Sequence, residues 1–299
     1  MRITTSLAQQ LGIQAITDQQ ARLSKTQLQL SSGLKISTPS DNPVDSTRIL
    51  DFNQSIASLQ QFSSNINVAQ SRLSFEENTL TQATDSLQRL RELAVQGANA
   101  TLNASDRASI ESEARQILDE LLGLSNTQNA NGEYLFSGFR TNTQPFTGTS
   151  TTPPGGFTYN GDSNQRFLQI GSTRQVADGD AGLSVFGDPA AGTSVFDAVA
   201  KFADNLGANT PDTNDIAAID SALQRIDAVR STIGARLNTL DQQKNLNDGT
   251  VLDIRSALSD VQDLDYAEAI SRLNLQSTVL QAAQQAYVRV QGLSLFNYL

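Results

Sequence analysis

A seven-residue apolar period in the first third of the chain decides most of what the chain can become. Phe52, Leu59, Ile66, Leu73, Leu80, Leu87 and Ala94 recur every seven positions. Three places after each stand Ser55, Phe62, Ala69, Glu76, Ala83, Leu90 and Gly97. An a/d pattern kept over about six heptads with no internal proline predicts one continuous α-helix. At 1.5 Å per residue it is roughly 65–75 Å long. Such a helix cannot bury its stripe against itself, so the rest of the chain must supply partner helices. Glu76 interrupts the d row, and two readings of it stand: a buried polar group that sets register, or a position close to solvent.

The flanking segments carry the same period. Ile16, Leu23 and Leu30 are spaced by seven, with Ile13 and Leu34 beside them, and predict a helix over residues 6–32. Gly33 supplies a left-handed stop. Thr38-Pro39-Ser40-Asp41-Asn42-Pro43 reads as a rigid connector, because each proline holds the residue before it extended. Asn42 then caps the long helix, with Pro43 in its first turn. A further helix starts at Ser105 or Asp106 and presents Ile110, Ala114, Ile117, Leu118, Leu121 and Leu122 on one face. Near the C-terminus, Ile219, Ile226, Ile233, Leu240, Ile254 and Val261 keep one phase, with Asn247 on the stripe as a point of local weakness. Tyr266, Leu273, Leu280 and Tyr287 keep another.

Between these arms the composition changes. Residues 138–211 hold 11 of the 19 glycines, 5 of the 7 prolines and 7 of the 12 phenylalanines. Glu133–Ser137, Phe157–Tyr159, Arg166–Ile170 and Leu183–Phe186 read as short strands between turns, and residues 194–206 as a short helix. The predicted fold is mainly α: an elongated helical hairpin or bundle with a terminal coiled coil and a small β-rich inserted domain. Its expected parts are a coiled-coil domain (1–42 with 262–299), a helical bundle (43–138 with 211–261) and the insert (139–210).

Charge and residue usage exclude whole classes of function. The net charge is −10 and no basic patch stands out, which argues against nucleic acid as a partner. There is no cysteine and no histidine, so disulfides, thiolate metal sites and histidine acid–base chemistry are absent. No glycine-rich phosphate loop is present. Asp178-Gly179-Asp180 lacks the rest of a calcium loop and reads as a turn. The carboxylates Asp260, Asp263, Asp265 and Glu268 do not converge and read as a solvated or intersubunit face. Catalytic, cofactor and metal residues are therefore assigned as none, and no enzyme activity is expected. No apolar run approaches the ~20 residues of a membrane span. The N-terminus has no signal-peptide core, so any exit from the cell must use another route.

At this point the motifs become recognisable. Leu30-Ser31-Ser32-Gly33-Leu34-Lys35-Ile36 with Pro39-Ser40-Asp41-Asn42-Pro43 resembles the N-terminal signature of the bacterial flagellin superfamily. Asn131-Gly132-Glu133-Tyr134-Leu135-Phe136-Ser137-Gly138 and Asp263-Leu264-Asp265-Tyr266-Ala267-Glu268-Ala269 resemble two further motifs of that family. Tyr159-Asn160-Gly161-Asp162 matches loosely. The proline-bearing connector and the ending Leu293-Ser294-Leu295-Phe296-Asn297-Tyr298-Leu299 favour a hook-associated member of the superfamily over a filament flagellin, which tends to end in a leucine–arginine tail.

The resemblance implies a structural subunit of the flagellum, exported through the flagellar type III apparatus without a cleaved signal peptide. It implies self-assembly into a ring between hook and filament, with hook-associated proteins or flagellin as neighbours and an export chaperone as a transient partner. Neither nucleic acid nor membrane insertion is implied. The assembly interface is assigned to Ile16, Leu23, Leu30, Leu273, Leu280, Tyr287, Phe296 and Leu299. Two rival readings remain, a short filament flagellin and an unrelated coiled-coil adhesion or signalling module.

Overall fold

The computed structural model describes residues 2–292. In chain order the elements are helices α1 (Arg2–Ser32), α2 (Pro43–Gly97) and α3 (Ala104–Ser125), and strands β1 (Phe146–Thr147), β2 (Thr158–Tyr159), β3 (Phe167–Gln169) and β4 (Gln175–Ala177). Helices α4 (Gly182–Phe186), α5 (Val195–Gly207), α6 (Asn214–Gln262) and α7 (Tyr266–Gly292) complete the chain. The mainly helical expectation holds, with β structure confined to two small antiparallel pairs. Two compact units divide the chain: residues up to Ser58 together with those from Gly249 onward, and residues 59–248. The boundary falls inside α2 and α6.

The second unit holds one contiguous core. Ile66, Leu73, Leu80, Leu87 and Leu90 of α2 are fully buried, and Ile110, Leu118 and Leu121 of α3 and Ile219, Ile226, Ile233 and Leu240 of α6 join them. α2 and α6 run antiparallel in a constant register: Asn67 accepts from Lys244 Nζ at 2.9 Å, Glu77 from Arg230 at 2.9 Å, and Asp220 from Arg91 at 2.6 Å. α3 starts on a capping box, in which Asn103 and Asp106 each accept the other's backbone N–H. Ser194 caps α5 by accepting the N–H of Asp197.

Phe146, Phe157, Phe186 and Phe196 belong to the same core, with ring centroids 4.9–5.7 Å apart. β1 pairs with β2, placing Phe146 opposite Tyr159, and β3 pairs with β4, placing Leu168 opposite Val176. The Tyr159 hydroxyl sits 2.9 Å from the Phe136 carbonyl and 2.8 Å from that of Asp162. Burial pushes its pKa up to about 12. Two of the recognised motifs therefore interlock: Asp162 also accepts the Phe139 N–H, and it packs where a side chain on Gly138, at φ 67°, would stand.

Three expectations are corrected. Leu183–Phe186 is the body of α4, because Val185 and the neighbouring Phe186 both turn inward and Gly187, at φ 83°, ends the turn. Glu133–Ser137 forms one isolated bridge, Gln128 to Tyr134, and no strand. Leu135, Phe136 and Ser137 are all buried in succession, which a strand's alternation forbids, and the backbone bonds go to Thr127 and Thr141. Asn247 does not weaken α6. It is buried, accepts from Gln243 at 2.9 Å and donates to the Ile170 carbonyl at 3.1 Å, tying the β3–β4 turn to the helix.

Phe146 touches Tyr159, Phe186 and Phe196 at once. Phe146→Ala is expected to destabilise this unit by about 3–5 kcal/mol, read as a lower urea midpoint with an unchanged slope. An effect below about 1 kcal/mol would contradict a core shared between helices and insert.

Candidate assembly surface

The first unit is built on different terms. α1 ends at Ser32, and Gly33 takes φ 71° to reverse the chain. The next residues pair with the α6–α7 joint: Lys35 N–H donates to Gln262 at 2.7 Å, Leu264 N–H donates to Gly33 at 3.0 Å, and Leu34 bridges Asp263. Ile36, Leu264 and Ala269 are buried around this joint. In the connector, Asp41 receives the N–H groups of Ser37 and Thr38 at 3.2 and 3.0 Å and pairs with Lys25 of α1 at 2.6 Å. The Lys25 contact first, then those two amides, hold its carboxyl far below the usual aspartate range. Asn42 caps α2 by accepting the Asp45 N–H. The carboxylates near residue 263 serve local structure: Asp265 caps α7 by accepting the Ala267 and Glu268 N–H groups, and Asp263 is bonded by Ser259.

α1 and α7 form an antiparallel pair. Tyr287 packs over Gly12, Gln19 donates to the Gln276 carbonyl at 3.2 Å, and Tyr266 lies against Gly33. The assigned residues Ile16, Leu23 and Leu30 on α1 and Leu273, Leu280 and Tyr287 on α7 are all half-buried. Phe296 and Leu299 lie outside the described residues. The structure thus brings six of the eight onto one helix pair.

Heptad reasoning passed over a second set of apolar side chains. Leu7, Leu11 and Leu28 of α1 are exposed, as are Leu275 and Val279 of α7. By the 3.6-residue period Leu7, Leu11, Leu28 and Leu275 lie on the far side of each helix from its heptad stripe, and Val279 on its flank. Leu11 is 58 % exposed and Leu275 66 %. The signal was in the sequence: two apolar faces per helix, where a self-sufficient coiled coil needs one. Covering a half-exposed leucine is worth about 1–2 kcal/mol. A helix pair with a half-wet seam and apolar outer faces can therefore gain much by packing among further helices. Among the described residues, no helix is long and apolar enough to cross a membrane.

Comparison with known proteins agrees with this geometry. A family model for the bacterial flagellin N-terminal helical region matches residues 3–141, and one for the C-terminal helical region matches residues 216–299. The chain belongs to the flagellin family. Within that family it is similar to flagellar hook-associated protein 3 of Escherichia coli (strain K12), 30 % identical over 99 % of both chains. It is also 29 % identical to flagellin of Bacillus subtilis (strain 168), over 95 % of this chain and 94 % of that one. The crystal structure of the flagellar junction protein FlgL from Legionella pneumophila superposes with a TM-score of 0.60 at 25 % identity, covering 73 % of this chain and all of that one.

Because the pKa of Asp41 is held below its ordinary value, its contribution to order is full above the usual aspartate value of 3.8 and is lost as pH falls below it. Asp41→Asn is expected to abolish the Lys25 pair and raise amide exchange at Ser37 and Thr38 severalfold at neutral pH. Unchanged exchange at both amides would remove Asp41 from the connector's support.

Proposed function

We propose that this chain is the structural subunit joining hook to filament in the bacterial flagellum. The observation that carries the reading is the full-length likeness to hook-associated protein 3. The helix geometry supplies a physical mechanism. Subunits pack through the Ile16, Leu23, Leu30, Leu273, Leu280 and Tyr287 stripe, Phe296 and Leu299, and the outward Leu11 and Leu275 faces. Removal of apolar surface from water drives the assembly. A junction subunit meets unlike neighbours on its two sides, and such head-to-tail contacts build rings or helical layers. The terminal coiled coil (1–42 with 262–299) is the assembling part, and the bundle (43–138 with 211–261) and the insert (139–210) complete the subunit.

In this reading the partners are further copies of the chain, hook-associated proteins or flagellin on either side, and an export chaperone before assembly. The protein works outside the cell, exported without a cleaved signal peptide, and its role is mechanical, with no catalysis and no cofactor. The similarity to Bacillus subtilis flagellin favours one alternative, a short filament flagellin.

Three measurements separate these readings. A deletion strain should keep its hooks and shed filament protein as monomer; normal swimming would overturn the junction role. The purified chain should form no long filaments on its own; filaments sustained by pure protein would identify a flagellin. Leu11→Glu with Leu275→Glu should leave the monomer's circular dichroism intact and fail to restore motility to the deletion strain. Full restoration would take the outer faces of α1 and α7 out of the assembly interface.

A further inference from the structure

Glu76 occupies a position of α2 where the heptad takes Ala69, Ala83 and Leu90 in neighbouring turns. Its side chain is buried, with the residue only 2 % exposed. The carboxyl group lies against the Asp178-Gly179-Asp180 segment and accepts the backbone N–H of Asp180, and its Oε1 has no hydrogen-bond partner. Three charged side chains face it: Arg72 from α2, Asp180 from the segment and Arg236 from α6.

Both arginines are already committed. Arg236 holds the two oxygens of Asp180 at 2.8 and 3.0 Å. Arg72 holds Glu133 at 2.8 Å and lies 3.2 Å from Asp178, whose other partner is Arg166. Gln165 adds a bond to Asp180 at 2.6 Å. Neither guanidinium is hydrogen-bonded to Glu76. An ionised Glu76 would be a buried charge with one unpaired oxygen, set beside a second carboxylate. As a neutral acid it places no second charge beside Asp180. Burial first, and the Asp180 carboxylate second, hold its pKa well above the ordinary glutamate range.

We propose that Glu76 is a proton-dependent latch: as the neutral acid it closes α2 onto residues 178–180, and loss of its proton releases that segment from the helices. The segment links Arg72 and Arg166 on one side to Arg236 on the other, so its release removes one of the insert's ties to α6 and leaves the Asn247–Ile170 tie in place. The sign follows from linkage. A carboxyl whose pKa is raised by folding contributes stability that is full below the ordinary glutamate value of 4.5. That stability is lost as pH rises toward the value in the folded chain. Glutamine keeps the shape of the neutral acid and cannot ionise.

The test uses the full-length chain and its Glu76→Gln variant between pH 5 and pH 9. Amide exchange over residues 176–181, corrected for intrinsic rates, should rise at least tenfold with pH in the wild-type chain and stay flat in the variant. The variant should also keep a melting temperature that the wild type loses on the alkaline side. Parallel behaviour of the two chains would overturn the latch. Should the variant fail to fold, the 13C carboxyl shift of Glu76 in the wild-type chain decides: a transition well above pH 4.5 supports the proposal, and one at the ordinary value overturns it.

Discussion

The unit formed by residues 59–248 depends on the antiparallel packing of α2 against α6. Both helices contribute buried residues in every heptad along the contact, and polar pairs at the rim hold the register. A one-residue slip would move every leucine of α2 about 100° round its axis and break those rim pairs together. Everything else in the unit leans on this seam. α3 packs on its α2 side, and the aromatic cluster closes the space that remains. The turn after β3 is tied to it through Ile170 and Asn247. The phenylalanines of the glycine-rich stretch thus extend a helical core without building a second one.

The helices were legible because a seven-residue period is redundant: Leu73, Leu80 and Leu87 each repeat the same information, and one exception such as Glu76 does not erase it. Helix ends were legible where chemistry marks them, as at Asn42 and Gly33; the Asn103 cap, one to two residues before the start expected at Ser105 or Asp106, was passed over. Short elements carry no such redundancy. Leu183–Phe186 is a four-residue segment with three apolar residues that fits a strand or a helical turn equally, and only the position of the Phe136 and Phe146 rings decides between them. Asn247 looked like a flaw because its partner, the Ile170 carbonyl, is 77 residues away in sequence. The heptad stripe on α1 and α7 was visible as periodicity. The outward leucines were visible only as residues that the periodicity did not use.

The two units also divide the polar residues differently. In the first, Asp41, Asn42 and Asp265 spend their oxygens on local backbone N–H groups, so they fix helix ends and a connector. In the second, Arg72, Arg166 and Arg236 reach across elements to buried carboxylates. Buried ion pairs of this kind add little net stability over apolar packing but penalise every wrong arrangement. That suits a unit whose short β pairs have few hydrogen bonds of their own with which to define a position.

One buried side chain bears on how so long a path can close at all. Arg107 donates to the carbonyls of Gly97 and Asn99 and to the side chain of Asn209, so it joins the end of α2 to the approach to α6. Leu206 of α5 packs against Gly97 at the same place. Without that knot, bringing Asn67 to Lys244 means closing a loop of 177 residues. With α3, the insert and α5 already gathered, about 65 residues remain between Asn67 and Gly97 and between Asn209 and Lys244, a loop shorter by between one and two doublings, which removes about 1 kcal/mol of closure entropy. Folding then meets a short local search followed by a zipper, in place of one long-range encounter.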